Sequence, residues 1–103
     1  MESTMQEAEL LVSGIFRHGA AVHADSRVHH YRGDTTTSTA FSGLAERTER
    51  LAAALAGLGI GRDDVAATLA CTPAHLAAYF AVPGMGAVLH TLNLRLHDDQ
   101  PVY

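Results

Sequence analysis

The stretch VAATLACTPAHLAAYFAVPGMGAVLHTLNLRL, Val65 to Leu96, constrains the fold of this chain more than any other. It has the order strand, turn, helix, turn, strand. Val65 to Ala70 is a short apolar run with β-branched Val65 and Thr68, the pattern of a buried strand. Thr72 is placed to cap the next helix with its hydroxyl, and Pro73 stands where a first helical residue needs no N–H. From Ala74 to Val82 only His75 is plainly polar, so this helix is expected to be covered on most sides. Pro83 and Gly84 are expected to end or kink it, because a proline ring removes a donor and disfavours helical geometry at Val82. Gly86 then opens a second apolar run, Ala87 to Leu92. Two apolar runs joined by one helix form a βαβ crossover, the connection that parallel strands require, with a right-handed path expected.

The preceding residues lead into that unit. Met1 to Glu9 is polar and expected to be loose. Leu10, Leu11, Ile15 and Phe16 lie close to helical spacing, with Arg17 and His18 directed outward and Gly14 weakening the pattern. Val28 to Tyr31, then Arg32-Gly33-Asp34, then Thr35 to Phe41 reads as a β-hairpin around a Gly-Asp turn. Arg32-Gly33-Asp34 is also the string that integrins read, but a turn whose Gly supplies positive φ is the preferred reading. Ser42 to Leu58 is the clearest helix. Ser42 is the expected N-cap, and Leu44, Leu51, Leu55 and Leu58 form one stripe widened by Ala45, Ala52 and Ala56. Glu46 and Arg50 are four apart in the favourable order. Gly59 is the expected left-handed stop, with Ile60 packing back on the helix, and Gly61 to Asp64 turns the chain into Val65.

Composition excludes several functions. The chain has 103 residues, 48% of them hydrophobic, within the size of one domain. Its formal net charge of −4, spread without long runs, argues against nucleic acid or an anionic membrane as partner. A single Cys excludes an internal disulfide and fits a reducing compartment. No apolar run approaches the roughly 20 residues that span a bilayer. MESTMQEAE is acidic where a secretory signal would be basic, so a cytoplasmic location is expected.

Candidate chemistry is sparse. Of the seven His, His29 and His30 are adjacent and face opposite sides of a strand, while His18 and His23 are five apart, a poor match to one helix face. No metal site follows from them. His75 and His90 are expected to be hydrogen-bonded core or rim residues. Cys71 precedes a helix N-terminus, the one position with nucleophile geometry, yet no His, Asn or Asp is assignable as its partner, and a small buried hydrophobe is the preferred reading. Glycines 57, 59 and 61, and then 84 and 86, follow helices and do not fit a phosphate loop. There is no Lys at all, so the loop ending in Gly-Lys-Ser/Thr is impossible here.

The segment AYFAVPGMGAVLHTLNLRL resembles the corresponding part of adenylate-forming acyl-CoA synthetases, the fatty-acid CoA ligases. Helix, glycine turn, buried strand and an Asn-x-Arg-Leu exit, here Asn93 to Leu96, occur in that family in this order. The resemblance extends back through Thr72, Pro73 and the helix before Val65, with a thinner match from about Leu10. The family usually has Asn at Cys71, Pro at Leu94, and Gly-Asp at Asp63 and Asp64. The implied fold class is α/β, an incomplete N-terminal portion of the family's large domain, with a β-hairpin followed by a helix and a parallel βαβ unit. Residues 1–103 would then be a partial segment, not a complete domain.

The resemblance implies a reaction for full-length members. A carboxylic acid is activated with ATP and Mg²⁺ to an acyl-adenylate, and the acyl group then passes to coenzyme A with release of AMP. The family's functional motifs are a Ser/Thr/Gly-rich loop ending in Lys-Gly, an acidic Mg²⁺ residue, a ribose-binding Asp and a Lys on a mobile C-terminal domain. None occurs here, so no catalytic, cofactor-binding or metal residue is carried over to this sequence, and the chain alone is expected to be inactive. Asp98-Asp99-Gln100-Pro101-Val102-Tyr103 reads as the start of another element, which makes the chain look cut. Open sheet edges in such a piece are an expected route to self-association. The alternative is a stand-alone α/β interaction module that binds an intact synthetase; a solvated, charge-protected sheet edge would favour it. A pH-responsive His-rich protein ranks last, since it rests only on the number of histidines.

Overall fold

A computed structural model describes Thr4 and residues 7–69 and 72–92. Cys71, the Asn93 to Leu96 exit and the acidic run after it lie outside the described residues. The element order is α1 (Val12–Val22), β1 (Arg27–Arg32), β2 (Thr35–Ala40), α2 (Phe41–Gly57), β3 (Val65–Thr68), α3 (Pro73–Gly84) and β4 (Val88–Thr91). The expected hairpin, long helix and parallel βαβ unit are all present.

β1 and β2 pair antiparallel, with Arg32 opposite Thr35 and Arg27 opposite Ala40. Only Gly33 and Asp34 lie between them, and Gly33 takes a φ of 64°. A glycine with positive φ at the first of two loop residues matches the right-handed twist of the flanking strands. β3 and β4 pair parallel, Val65 opposite Val88 and Thr68 opposite Thr91. The ladder continues at both ends: Val88 N–H donates to the Asp64 carbonyl at 2.7 Å, and Leu92 N–H to the Thr68 carbonyl at 2.8 Å.

α2 lacks its expected cap. The helix starts at Phe41, and its N-cap Ala40 has no side chain to offer. The first N–H groups donate to backbone instead, Phe41 to the Ser26 carbonyl at 2.7 Å and Ser42 to the Ala24 carbonyl at 3.0 Å. With those donors satisfied by the loop before β1, the Ser42 hydroxyl has no capping task. The stripe is borne out at Leu44, which is buried, and at half-buried Leu51 and Leu55, whereas Leu58 is exposed because it is already the C-cap beyond the last turn. At that end Gly59 (φ 89°) donates to the Ala56 carbonyl at 3.0 Å and Ile60 to the Leu55 carbonyl at 3.1 Å. This pair of reversed bonds is a Schellman stop, as the glycine implied.

Thr72 caps α3 as expected, its Oγ1 accepting from His75 N–H at 3.3 Å, with Pro73 at the first helical position. α3 ends at Gly84, as Pro83 and Gly84 imply, with Pro83 inside its last turn. A proline so close to a helix end forfeits one bond, to the Tyr79 carbonyl, and the helix tolerates that. The closing bonds come just after. Gly86 (φ 81°) donates to the Pro83 carbonyl at 3.0 Å and Ala87 to the Val82 carbonyl at 3.1 Å, the same closure that ends α2.

The core lies between the three helices and the base of the hairpin. Buried Phe16, Leu44 and Ala77 are its centre, and Val28, Phe41, Leu76 and Phe80 pack against them. The Phe16 ring stacks on Phe80 with centroids 4.2 Å apart and tilts against Phe41 at 5.4 Å. Of the apolar residues expected on the inner side of α1, only Phe16 is buried; Leu10, Leu11 and Ile15 are exposed. Seating Phe16 between α2 and α3 turns Ile15, a rotation of about 100° away, toward solvent. α3 is covered at Ala77, Ala78, Ala81 and Val82, while Tyr79 is exposed.

Candidate functional site

The groups that carry chemistry stay apart. Among the described residues no three His, Cys, Asp or Glu side chains converge in a metal-binding arrangement. His18 on α1 and His23 at its C-cap meet edge to face with centroids 6.1 Å apart. His29 is exposed and His30 half-buried on opposite faces of β1. His75 is half-buried with its ring edge-on to Tyr79 at 4.9 Å, but its Nδ1 is buried with no hydrogen-bond partner among the described residues. The expected hydrogen-bonded histidine is therefore not found at His75, where the first turn of α3 supplies a neighbouring ring in place of a donor or acceptor. His90 is exposed on β4. Gly59 and Gly86 form helix stops, not phosphate loops.

The Gly61 to Asp64 turn explains one departure from the family pattern. Asp63 has a φ of 68°, the only non-glycine residue with positive φ among the described residues. That conformation favours glycine, the residue that the resemblance implies there, and Asp is among the few side chains that tolerate it. Asp64 locks the turn by accepting from Gly61 N–H at 2.8 Å, and Asp63 N–H donates to the Gly86 carbonyl at 3.0 Å. The turn before β3 is thereby tied to the turn before β4.

What the fold presents instead is apolar surface around the parallel pair. On one side Leu89 and Thr91 of β4, with Leu76, Tyr79, Phe80 and Pro83 of α3 and Val12 of α1, line an open groove of about 550 Å³. On the other side the in-register pair Val65 and Val88, together with Leu69, faces solvent, 64%, 53% and 51% exposed. The expectation that both runs would be buried strands fails here: α3 covers one face of the pair, and nothing among the described residues covers the other. A second groove of about 470 Å³ runs between α1, α2 and α3, lined by Phe16, Ala52, Ala56, Phe80, Ala81 and Met85 among others. Reading the sequence for titratable groups misses these surfaces; the signal for them is that Val65 and Val88 carry apolar side chains on the strand face opposite Ala66 and Leu89.

The same architecture occurs in known proteins. The long-chain-fatty-acid–CoA ligase of Thermus thermophilus is 41% identical over 106 aligned residues, an alignment covering 98% of this chain and 19% of that protein. The 3-methylmercaptopropionyl-CoA ligase of Ruegeria lacuscaerulensis is 35% identical, over 100% of this chain and 20% of that protein. Among solved structures, IdnL1 superposes with a TM-score of 0.77 at 23% identity, over 95% of this chain and 20% of that one. The N-terminal domain of FACL13 from Mycobacterium tuberculosis superposes with a TM-score of 0.77 at 21% identity, over 88% and 23%. The chain thus spans about a fifth of the length of the curated relatives it matches. The model of the AMP-binding enzyme family matches residues 16–103, and on that match the chain belongs to the AMP-binding enzymes.

Proposed function

We propose that this chain is an N-terminal segment of a fatty-acid CoA ligase that contributes scaffold, not catalytic groups, to the enzyme's large domain. The carrying observation is the match over residues 16–103 to the AMP-binding family by a chain a fifth as long as its ligase relatives. In the complete enzyme the reaction is ATP-dependent, Mg²⁺-assisted formation of an acyl-adenylate followed by thioester formation with coenzyme A. The residues present do not fit those groups. The sequence has no Lys for the phosphates, and among the described residues no acidic or histidine cluster is gathered for Mg²⁺. No step is therefore assigned to a residue of this chain.

On this reading residues 1–103 are a partial segment and not a complete domain, and the chain on its own makes no acyl-CoA. It acts in the cytoplasm and does not bind nucleic acid, consistent with a net charge of −4 without basic runs. Among the described residues no helix is long and apolar enough to cross a membrane. The alternative, a stand-alone interaction module that binds an intact synthetase, is favoured by a solvated, charge-protected sheet edge; the exposed Val65, Leu69 and Val88 lie on a face of β3–β4 and support the segment reading instead. The same exposed strands give the isolated chain a tendency to self-associate.

The test is direct. Purified chain incubated with ATP, Mg²⁺, a fatty acid and coenzyme A is expected to yield no acyl-CoA above an enzyme-free blank. Acyl-CoA formation proportional to the amount of chain would overturn the proposal.

A further inference from the structure

We propose that the inner face of the β1–β2 hairpin, where it meets the start of α3, is a binding site for a small phosphate-bearing anion, held by Arg32 and His30 with Thr37 and Thr72. The site assigns no step of acyl-CoA formation to these residues. It is built from this chain alone and does not depend on the segment reading.

Strand register gathers these groups. Side chains alternate faces along a strand, and residues directly opposite each other share a face. From the core outward, one face of the hairpin therefore carries Val28 with Thr39, His30 with Thr37, and Arg32 with Thr35. Val28 packs on the Phe16 and Leu44 core, so this is the face turned toward the helices. The start of α3 stands across from it. His30, Arg32, Thr35, Thr37, Thr72 and Pro73 line an open cleft of about 530 Å³. A narrow hollow that shares His30, Thr37 and Pro73 with the cleft reaches Arg47 of α2.

Charge decides what such a cleft takes. The chain as a whole carries a formal −4, yet no Asp or Glu lines either hollow. Arg17, Arg27 and Arg50 are engaged by Ser13, Ser38 and Glu46, whereas Arg32 and Arg47 have no hydrogen-bond or ion-pair partner among the described residues. Asp34, the acid of the hairpin, sits in the turn and accepts from the Thr35 hydroxyl at 3.3 Å. Thr72 accepts from His75 N–H, which leaves its own O–H free to donate. The Arg32 fork, the His30 ring and the Thr37 and Thr72 hydroxyls thus offer donors from two elements with no carboxylate between them. A carboxylate ligand has two oxygens to meet them and a phosphate has three or more, so a phosphate uses the set more fully. The walls are polar apart from Pro73 and give an acyl chain nothing to pack on.

The experiment titrates the purified chain with sodium pyrophosphate at fixed ionic strength and follows its amide signals by NMR. Saturable shifts centred on the hairpin and the first turn of α3 are expected, with Arg32→Gln weakening affinity about tenfold. Arg27→Gln, on the other face of the same strand, is the control and is expected to change affinity by less than about twofold. Both side chains are exposed, so neither exchange disturbs the core. Equal losses from the two exchanges would reduce the effect to diffuse positive charge and overturn the site, as would shifts that never saturate. Sodium acetate is expected to bind at least tenfold more weakly than pyrophosphate; acetate that binds as well overturns the phosphate assignment. Glucose 6-phosphate in a parallel titration separates the sources of the phosphate. Tighter binding of pyrophosphate names an inorganic diphosphate, tighter binding of the sugar phosphate names a phosphate monoester, and either supports the site. Failure of both to bind overturns it.

Discussion

The two strand pairs of this molecule are built on opposite principles. β1–β2 is antiparallel, closed by a two-residue turn, and Thr-rich; residues 35–38 and Tyr31 are exposed, and only Val28, His30, Thr39 and Ala40 turn partly inward. It is a hairpin made to have one wet face. β3–β4 is parallel, joined through the 12-residue α3, and carries apolar side chains on both faces, beside Thr68 and Thr91 on the α3 side and His90 on the other. The hairpin is complete with the neighbours it has, while the parallel pair has one layer too few. What links them is the Phe16, Phe41 and Phe80 cluster, since Phe41 begins α2 immediately after β2 and Phe80 lies on the crossover helix.

The largest test of that comparison is Phe16→Ala. Removing a buried phenyl ring that contacts both neighbours is expected to cost about 3–5 kcal/mol, a large part of the stability of a small domain. Because the cluster joins the two pairs, amide exchange is expected to rise in β1–β2 and β3–β4 together. A hairpin that keeps its protection while β3 and β4 lose theirs would show that the pairs are held independently.

Which features were legible in the residues follows the same division. Local chemistry read well. Gly33 announced the hairpin turn, Thr72 with Pro73 announced the start of α3, and Gly59 with Ile60 announced the end of α2, because each is settled within a few residues of chain. Features decided by distant partners did not. Ser42 loses its capping role to carbonyls of Ala24 and Ser26. Leu11 and Ile15 look like core residues but yield the inner face of α1 to Phe16. The α/β class and the βαβ unit were readable from apolar runs, and the incomplete cover of the parallel pair from the likeness to part of a larger domain; which face stays bare was not, because the same run fits either side.

Two glycine substitutions sharpen the contrast. Gly86→Ala places a side chain at a φ of 81°, with Arg62 side-chain atoms 3.6–3.7 Å from its Cβ, in the turn whose carbonyl also accepts from Asp63. A loss of about 2 kcal/mol is expected. It should appear as faster exchange in β3 and β4 while β1–β2 keeps its relative protection. Gly33→Ala, at a φ of 64° with open space around its Cβ, is expected to cost about 1 kcal/mol and to appear only in the hairpin. If either substitution deprotects both pairs equally, the turns are not local devices and the division between the pairs dissolves.

The smallest expected effect is the most informative about the parallel pair. Val65→Thr keeps a β-branched residue on the strand and replaces one exposed methyl by a hydroxyl. A valine in the middle of a covered parallel sheet would lose substantially on this exchange, because the hydroxyl would be buried without a partner. In the free chain Val65 is 64% exposed, so the unfolding midpoint is expected to move by no more than about 0.5 kcal/mol in either direction. A loss above about 1.5 kcal/mol in dilute, monomeric chain would mean that the outer face is already covered there, and the second layer would have to be sought within residues 1–103 instead of beyond them.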